Sequence, residues 1–152
     1  MKERALKIVH QEFAEITDKA GKPYICHLQR VAERTENSEK DEGLYCIALL
    51  HDLLEDIEAW TAEKLKDYFP IRVVEAVVLL TKSENQSYSD YINQISGNPD
   101  ARAVKLADLE DNMNITRLDR ISENDIKRLR KYHKAFKKLI TGTSKPLNKS
   151  GK

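Results

Sequence analysis

Apolar residues recur along this chain every three or four positions and almost never every second one, a spacing that predicts helices from end to end. Leu6, Val9, Phe13 and Ile16 form the stripe of a first helix, which should stop before Gly21-Lys22-Pro23. A second begins near Tyr24 and turns Leu28, Val31 and Ala32 inward, with His27 one turn ahead of Val31. The third is expected over residues 42–57, where Leu44, Cys46, Ile47, Ala48, Leu49, Leu50 and Leu53 cover most of the circumference, the pattern of a helix surrounded by others. Thr61 caps a short helix reaching Tyr68, and Pro70 opens a Val-rich segment, 71–80, that reads as helix because Arg72 and Glu75 break any clean alternation. A further helix covers 87–96, and Gly97-Asn98-Pro99 ends it and starts the next, which continues through Asp108 to about residue 114. Ser122-Glu123-Asn124-Asp125 has the form of a capping box, opening a last helix whose apolar face is Ile126, Leu129, His133, Phe136 and Ile140.

The fold class expected is therefore all-α, with one helical domain over residues 1–140 and a flexible Ser/Lys/Asn-rich tail over 141–152. Five glycines and four prolines leave few breaks, and 40% hydrophobic residues in 152 suffice for one core. Lys plus Arg total 26 against 25 for Asp plus Glu, so net charge gives no reason to expect a polyanionic partner. The basic run Lys127, Arg128, Arg130, Lys131, Lys134, Lys137 and Lys138 reads as a solvated helix face, and without a recognised binding motif it does not point to nucleic acid. No apolar run approaches the ~20 residues that cross a bilayer, so a membrane is not an expected partner and the cytoplasm is the expected location. Cys26 and Cys46 are too few for a disulfide framework and suit core packing.

Candidate chemistry changes this bland picture at His51-Asp52-Leu53-Leu54-Glu55-Asp56, where an imidazole and three carboxylates close a segment that otherwise looks buried. Buried charge needs partners or a cation, and a bound metal is the simplest compensation. On one helix His51 would stack over Glu55 and Asp52 over Asp56. With His27 and Asp108 the set becomes His27, His51, Asp52 and Asp108 as metal ligands, suited to a divalent ion such as Mn²⁺, with Fe²⁺, Zn²⁺ or Mg²⁺ as alternatives. Glu55 and Asp56 are left as the catalytic pair that handles protons while the ion acidifies water for attack on phosphorus. His10 and His133 have no neighbouring second ligand.

Gly21-Lys22-Pro23-Tyr24-Ile25-Cys26-His27, Ala48-Leu49-Leu50-His51-Asp52-Leu53-Leu54-Glu55-Asp56 and Val104-Lys105-Leu106-Ala107-Asp108 together resemble the HD superfamily of metal-dependent phosphohydrolases, in particular the hydrolase domain of RelA/SpoT homologues and small alarmone hydrolases. The resemblance implies an HD-type helical bundle, one Mn²⁺, and removal of the 3′ pyrophosphate from ppGpp-type nucleotides. It also places Asn112 near the substrate. No histidine lies between Asp52 and Asp108, where HD proteins with several metals draw extra ligands, which favours a single ion. A homo-oligomer is compatible with the resemblance, since HD domains often pair through helices.

The departures lie where a nucleotide would be read. Asp18-Lys19-Ala20 stands where alarmone hydrolases carry Arg-Lys-Ser, and Leu109-Glu110-Asp111-Asn112-Met113-Asn114-Ile115 is more acidic than the family's segment. Both changes should weaken binding of a polyanion. Candidate substrate contacts are Lys19, Tyr24, Lys82, Tyr88 and Asn112, with Tyr91 beside Tyr88. A phosphorylated nucleotide is the expected partner. The alternatives are a general nucleotidase or nucleotide pyrophosphatase, and a non-catalytic nucleotide-binding regulatory module.

Overall fold

The most apolar stretch of the chain becomes the axis of the molecule. In the computed structural model, which describes residues 1–141, this stretch is α3 (Glu42–Leu50), and Leu44 and residues 46–50 are all buried. Around it pack α1 (Lys2–Glu12), α2 (Tyr24–Arg34), α6 (Ile71–Leu79) and α8 (Pro99–Asn112). The short α4 (Leu53–Asp56) and α5 (Ala62–Lys66) connect α3 to α6, α7 (Tyr88–Ser96) lies on α8, and α9 (Glu123–Thr141) closes over α7 and α8. No strand occurs among the described residues, and the fold is the all-helical domain expected. No helix among them is long and apolar enough to cross a membrane.

Capping explains many of the boundaries. Asp41, Thr61, Ser87 and Asn98 each accept a hydrogen bond from a backbone N–H in the first turn of α3, α5, α7 and α8. Ser122 and Asp125 exchange bonds at the start of α9, Asp125 N donating to Ser122 Oγ and Ser122 N to Asp125 Oδ2. Asp41 also joins three helices: Arg72 of α6 donates to it and to Asp100 of α8. A Cβ at Gly43 would lie 3.2 Å from Arg72 Nη1, so a glycine lets this guanidinium approach α3 closely.

Three details depart from the helical pattern in the sequence. Helix α1 ends at Glu12, well ahead of Gly21, and Phe13 is buried just beyond it. The third helix does not run unbroken to residue 57; it is interrupted at His51-Asp52, because the His51 imidazole bonds back to the Ala48 carbonyl, 2.6 Å away, and Asp52 takes φ −99 and ψ 0. In α9 the inward face is Tyr132, Ala135, Phe136 and Leu139, whereas His133 and Ile140 are exposed. Arg102 of α8 fixes that rotation by donating to the Leu139 carbonyl at 2.8 Å. Apart from Thr141, which ends α9, the tail expected over 141–152 lies outside the described residues.

Because α3 is enclosed, Leu49→Ala is expected to cost about 2–5 kcal/mol in denaturant unfolding, and Ile71→Ala, at a residue 59% exposed, less than about 0.5 kcal/mol. Equal effects would show that α3 is not the packed centre.

Candidate metal centre

The turn ahead of α2 sets the first half of the site. Asp18 Oδ1 accepts from Ala20 N and Lys22 N, Gly21 takes a positive φ of 75°, and Tyr24 N donates to Ile16 O at 2.8 Å. Helix α2 therefore starts at Tyr24 and carries His27 inward, with 4% of its surface exposed. The break after α3 sets the second half, directing His51 into the same space, and α8 brings Asp108.

Tautomers follow from the partners. His51 Nδ1 faces a carbonyl oxygen, and His27 Nδ1 lies 2.6 Å from Asp111 Oδ2, so each Nδ1 carries the hydrogen and donates. Each Nε2 then offers a lone pair. Both Nε2 atoms are buried without a hydrogen-bond partner, and both face Asp108 Oδ1, at 3.1 Å from His27 and 3.3 Å from His51. Asp52 Oδ2 stands 3.1 Å from His51 Nε2 and 3.7 Å from His27 Nε2. Two nitrogen lone pairs and two carboxylates converging in a buried space repel one another unless a cation sits among them.

The ionisation tendencies express the same need. Burial works against charge on His51, yet the Asp52 and Asp108 carboxylates hold its pKa well above the ordinary imidazole value. His27 is likewise raised against burial, by Asp108 and Asp111. Asp108 is held well below the usual carboxylate range despite burial, chiefly by Lys105 and His51. His27, His51 and Asp108 offer ligand atoms all within 4.8 Å of one another, a donor set of imidazole nitrogen and carboxylate oxygen that fits a divalent ion. Asp52 belongs to the same charge cluster but lies beside this tight trio, held by a 2.5 Å bond from the Tyr24 hydroxyl.

A cavity of about 430 Å³ opens beside the trio; His27 and Asp108 line it, and the buried His51 does not. Lys19, Tyr24, Glu55 and Asn112 line it, but Asp56, Lys82 and Tyr88 do not. Glu55 accepts from the backbone N–H of Lys82 at 3.0 Å, so Lys82 contributes its main chain to the site while its ammonium turns to the Ser83 carbonyl. The ring of Tyr88 packs beside Tyr91 and under the Lys131 ammonium. Asn112 donates to Asp108 Oδ1 at 2.9 Å. Burial and the Asp52 and Glu55 charges push Asp56 up to about 6, and burial and Asp52 also raise Glu55.

One of the acidic residues after Asp108 is turned away from the cavity. Asp111 is fully buried, does not line the cavity, and is matched by Arg30, Arg34 and Arg117 as well as by His27. These partners hold its pKa below the usual carboxylate range despite burial. Asp18 closes its own turn, and its other oxygen is 3.7 Å from Arg117 Nη1. Sequence patterning did not single out Asp111, Arg30, Lys105, Arg117 or Arg128. Arg30 follows His27 by three, and Lys105 and Asp111 flank Asp108 by three, spacings that share a helix face and carry a usable signal. Arg128 belongs to the basic run expected to be solvated, yet it lines the cavity, paired with Asp125.

With this geometry in view, residues 24–122 match the family described as HD domain. The chain belongs to the HD domain family. It is similar to a guanosine-3′,5′-bis(diphosphate) 3′-pyrophosphohydrolase of Aquifex aeolicus (strain VF5), 31% identical over 119 residues, which are 73% of this chain and 17% of that protein. It is also similar to a probable GTP pyrophosphokinase of Mycobacterium leprae (strain TN), 29% identical over 124 residues, 76% of this chain and 16% of that protein. The chain thus spans about one sixth of the length of these relatives. Among solved structures it shares its fold, with a TM-score of 0.72 and 22% identity, with a metazoan ortholog of SpoT that hydrolyses ppGpp and plays a role in starvation responses; the match covers 95% of this HD domain chain and 85% of the other.

Protons compete with an ion for the two Nε2 atoms, so divalent-ion affinity is expected to fall as pH is lowered from about 8 to 6 in calorimetric titrations. An affinity independent of pH would exclude ligation by the imidazoles. Asp111→Asn weakens the hold on His27 Nδ1 and is expected to lower ion affinity about 10- to 100-fold with the helical content unchanged.

Proposed function

We propose that this HD domain is a metal-dependent phosphohydrolase that removes pyrophosphate from a ppGpp-type nucleotide, with one Mn²⁺ held by His27, His51, Asp108 and Asp52. The observation that carries the reading is the pair of buried, unpartnered Nε2 atoms facing Asp108, a carboxylate that with His27 lines a nucleotide-sized cavity. A divalent ion bound there supplies positive charge that acidifies water and neutralises phosphoryl oxygens.

The chain's own groups supply the rest. Glu55, fixed by the Lys82 N–H and lining the cavity, is placed to take a proton from an attacking water. Asp56, one residue on and outside the wall, is a neighbouring carboxylate whose own pKa is raised by burial, Asp52 and Glu55, which suits it to accept the proton onward. Tyr24 holds Asp52 in place by its hydroxyl. Lys19, Arg117 and Arg128 give the cavity cations for an anionic substrate, and Ile115, Leu118 and Tyr132 give it an apolar wall against which a planar base fits. The relatives' printed activities point to guanosine bis(diphosphate) as the first substrate to test.

Mn²⁺-loaded protein incubated with ppGpp is expected to release pyrophosphate, and Asp52→Ala or Glu55→Gln to lower kcat about 10²-fold or more. Intact ppGpp after prolonged incubation would sink the alarmone reading, and release of phosphate from simpler nucleotides would then identify a general nucleotidase. A carboxylate base works ionised, so the rate should fall as pH drops through about 6, where Asp56 takes up a proton, and Glu55, also raised by burial, adds to the same acid limb. Asp56→Asn is expected to move that acid limb, and an unchanged profile would remove Asp56 from the proton path.

A further inference from the structure

Lys105 is a charged residue in an enclosed place. Its side chain is 12% exposed, it sits one helical turn before Asp108 on α8, and the ring of Tyr91 lies 5.2 Å from its ammonium. Its Nζ donates to Asp108 Oδ2 at 2.8 Å. The other oxygen, Oδ1, is the one that faces both imidazoles and accepts from Asn112 Nδ2. The carboxylate is thereby divided, with Oδ2 bound to an ammonium and Oδ1 turned to the space between His27 and His51.

We propose that Lys105 is a positioning residue of the metal centre, holding Asp108 so that a single carboxylate oxygen is presented to the ion and open coordination positions remain for water and substrate. The inference rests on the metal-centre reading above. A simple counter-ion would need only to lie near Asp108, but this one is anchored to a specific oxygen. It also lines the cavity beside Glu55, so it adds a fixed positive charge next to the reacting groups. Burial resists that charge, and the carboxylate of Asp108 sustains it. Without the ammonium, Asp108 is free to turn both oxygens toward a divalent ion, as carboxylates readily do, and to occupy a position that water otherwise takes.

Co²⁺ gives a readout that does not require turnover, since its visible absorption weakens as coordination number rises. Wild-type protein titrated with Co²⁺ should bind one equivalent. Lys105→Met is expected to bind one equivalent with affinity equal to or tighter than wild type, with visible absorptivity lowered about twofold or more. Where wild type turns over ppGpp, the variant's kcat should fall about 10- to 100-fold with KM nearly unchanged. Lys105→Gln, which keeps an N–H for Oδ2 without the charge, should restore most of the spectrum. A Lys105→Met spectrum identical to wild type, or ion affinity lost in step with thermal stability, would overturn the proposal in favour of a structural ion pair. Failure of both variants to fold in the presence of Co²⁺ would do the same. Wild-type protein that binds no Co²⁺ would instead overturn the metal-centre reading itself.

Discussion

Two imidazoles and two carboxylates converge in a buried space beside the cavity, and the molecule is arranged around balancing that charge. Asp108 is the pivot, its Oδ1 facing His27 and His51 and its Oδ2 held by Lys105. Left without a cation the cluster repels itself, and in that state its histidines hold protons more tightly than ordinary imidazoles. A divalent ion satisfies the same need with directional bonds, which is why the donor set reads as a metal centre and not as a set of ordinary ion pairs.

The same requirement accounts for local features that look irregular by themselves. His51 keeps helical backbone angles at the end of α3, φ −58 and ψ −29, and there its Nδ1 meets the Ala48 carbonyl and its Nε2 the centre, with the interruption following it at Asp52. Around this inner group lies a second tier of opposite charges. Arg30, Arg34 and Arg117 compensate Asp111, and Asp111 in turn fixes the tautomer of His27. Arg117 reaches further, toward Asp18, so the turn ahead of α2 and the segment after α8 are tied through one guanidinium. Asp111 is thus used in building the site, whereas Asp18, which also closes its own turn, lines the cavity.

The motif resemblance to RelA/SpoT-type hydrolase domains and the HD domain match point to the same family, and the cavity beside the inner donors has the size and mixed polarity that a nucleotide requires. The walls, however, come from the turn at 17–20 and, about a hundred residues later, from the segment following α8 and from α9. The shape of the cavity therefore depends on how α9 docks on α7 and α8, and Arg128 enters the cavity because of that docking.

Residues whose role is set by spacing along one helix are legible in the sequence itself. The apolar periodicity around α3, the caps at Thr61 and Ser122, and the motif residues His27, His51, Asp52 and Asp108 can all be named from it, because helical geometry and side-chain chemistry are local properties. Asp111 and Lys105 are within reach of the same reasoning, three residues either side of Asp108. Which way a surface-like residue turns is not legible. Arg117 and Arg128 line the cavity while Asp56, Lys82 and Tyr88 stay off its wall, and His133 faces out where periodicity turns it in. Those outcomes depend on helix docking and on charges meeting across distant segments, as when Arg117 finds Asp111 and Arg102 fixes Leu139. The sequence alone determined the fold class and the candidate donors; the tertiary structure decided which charges are shared and what faces the cavity, because buried charge is settled only by the partners that packing brings within reach.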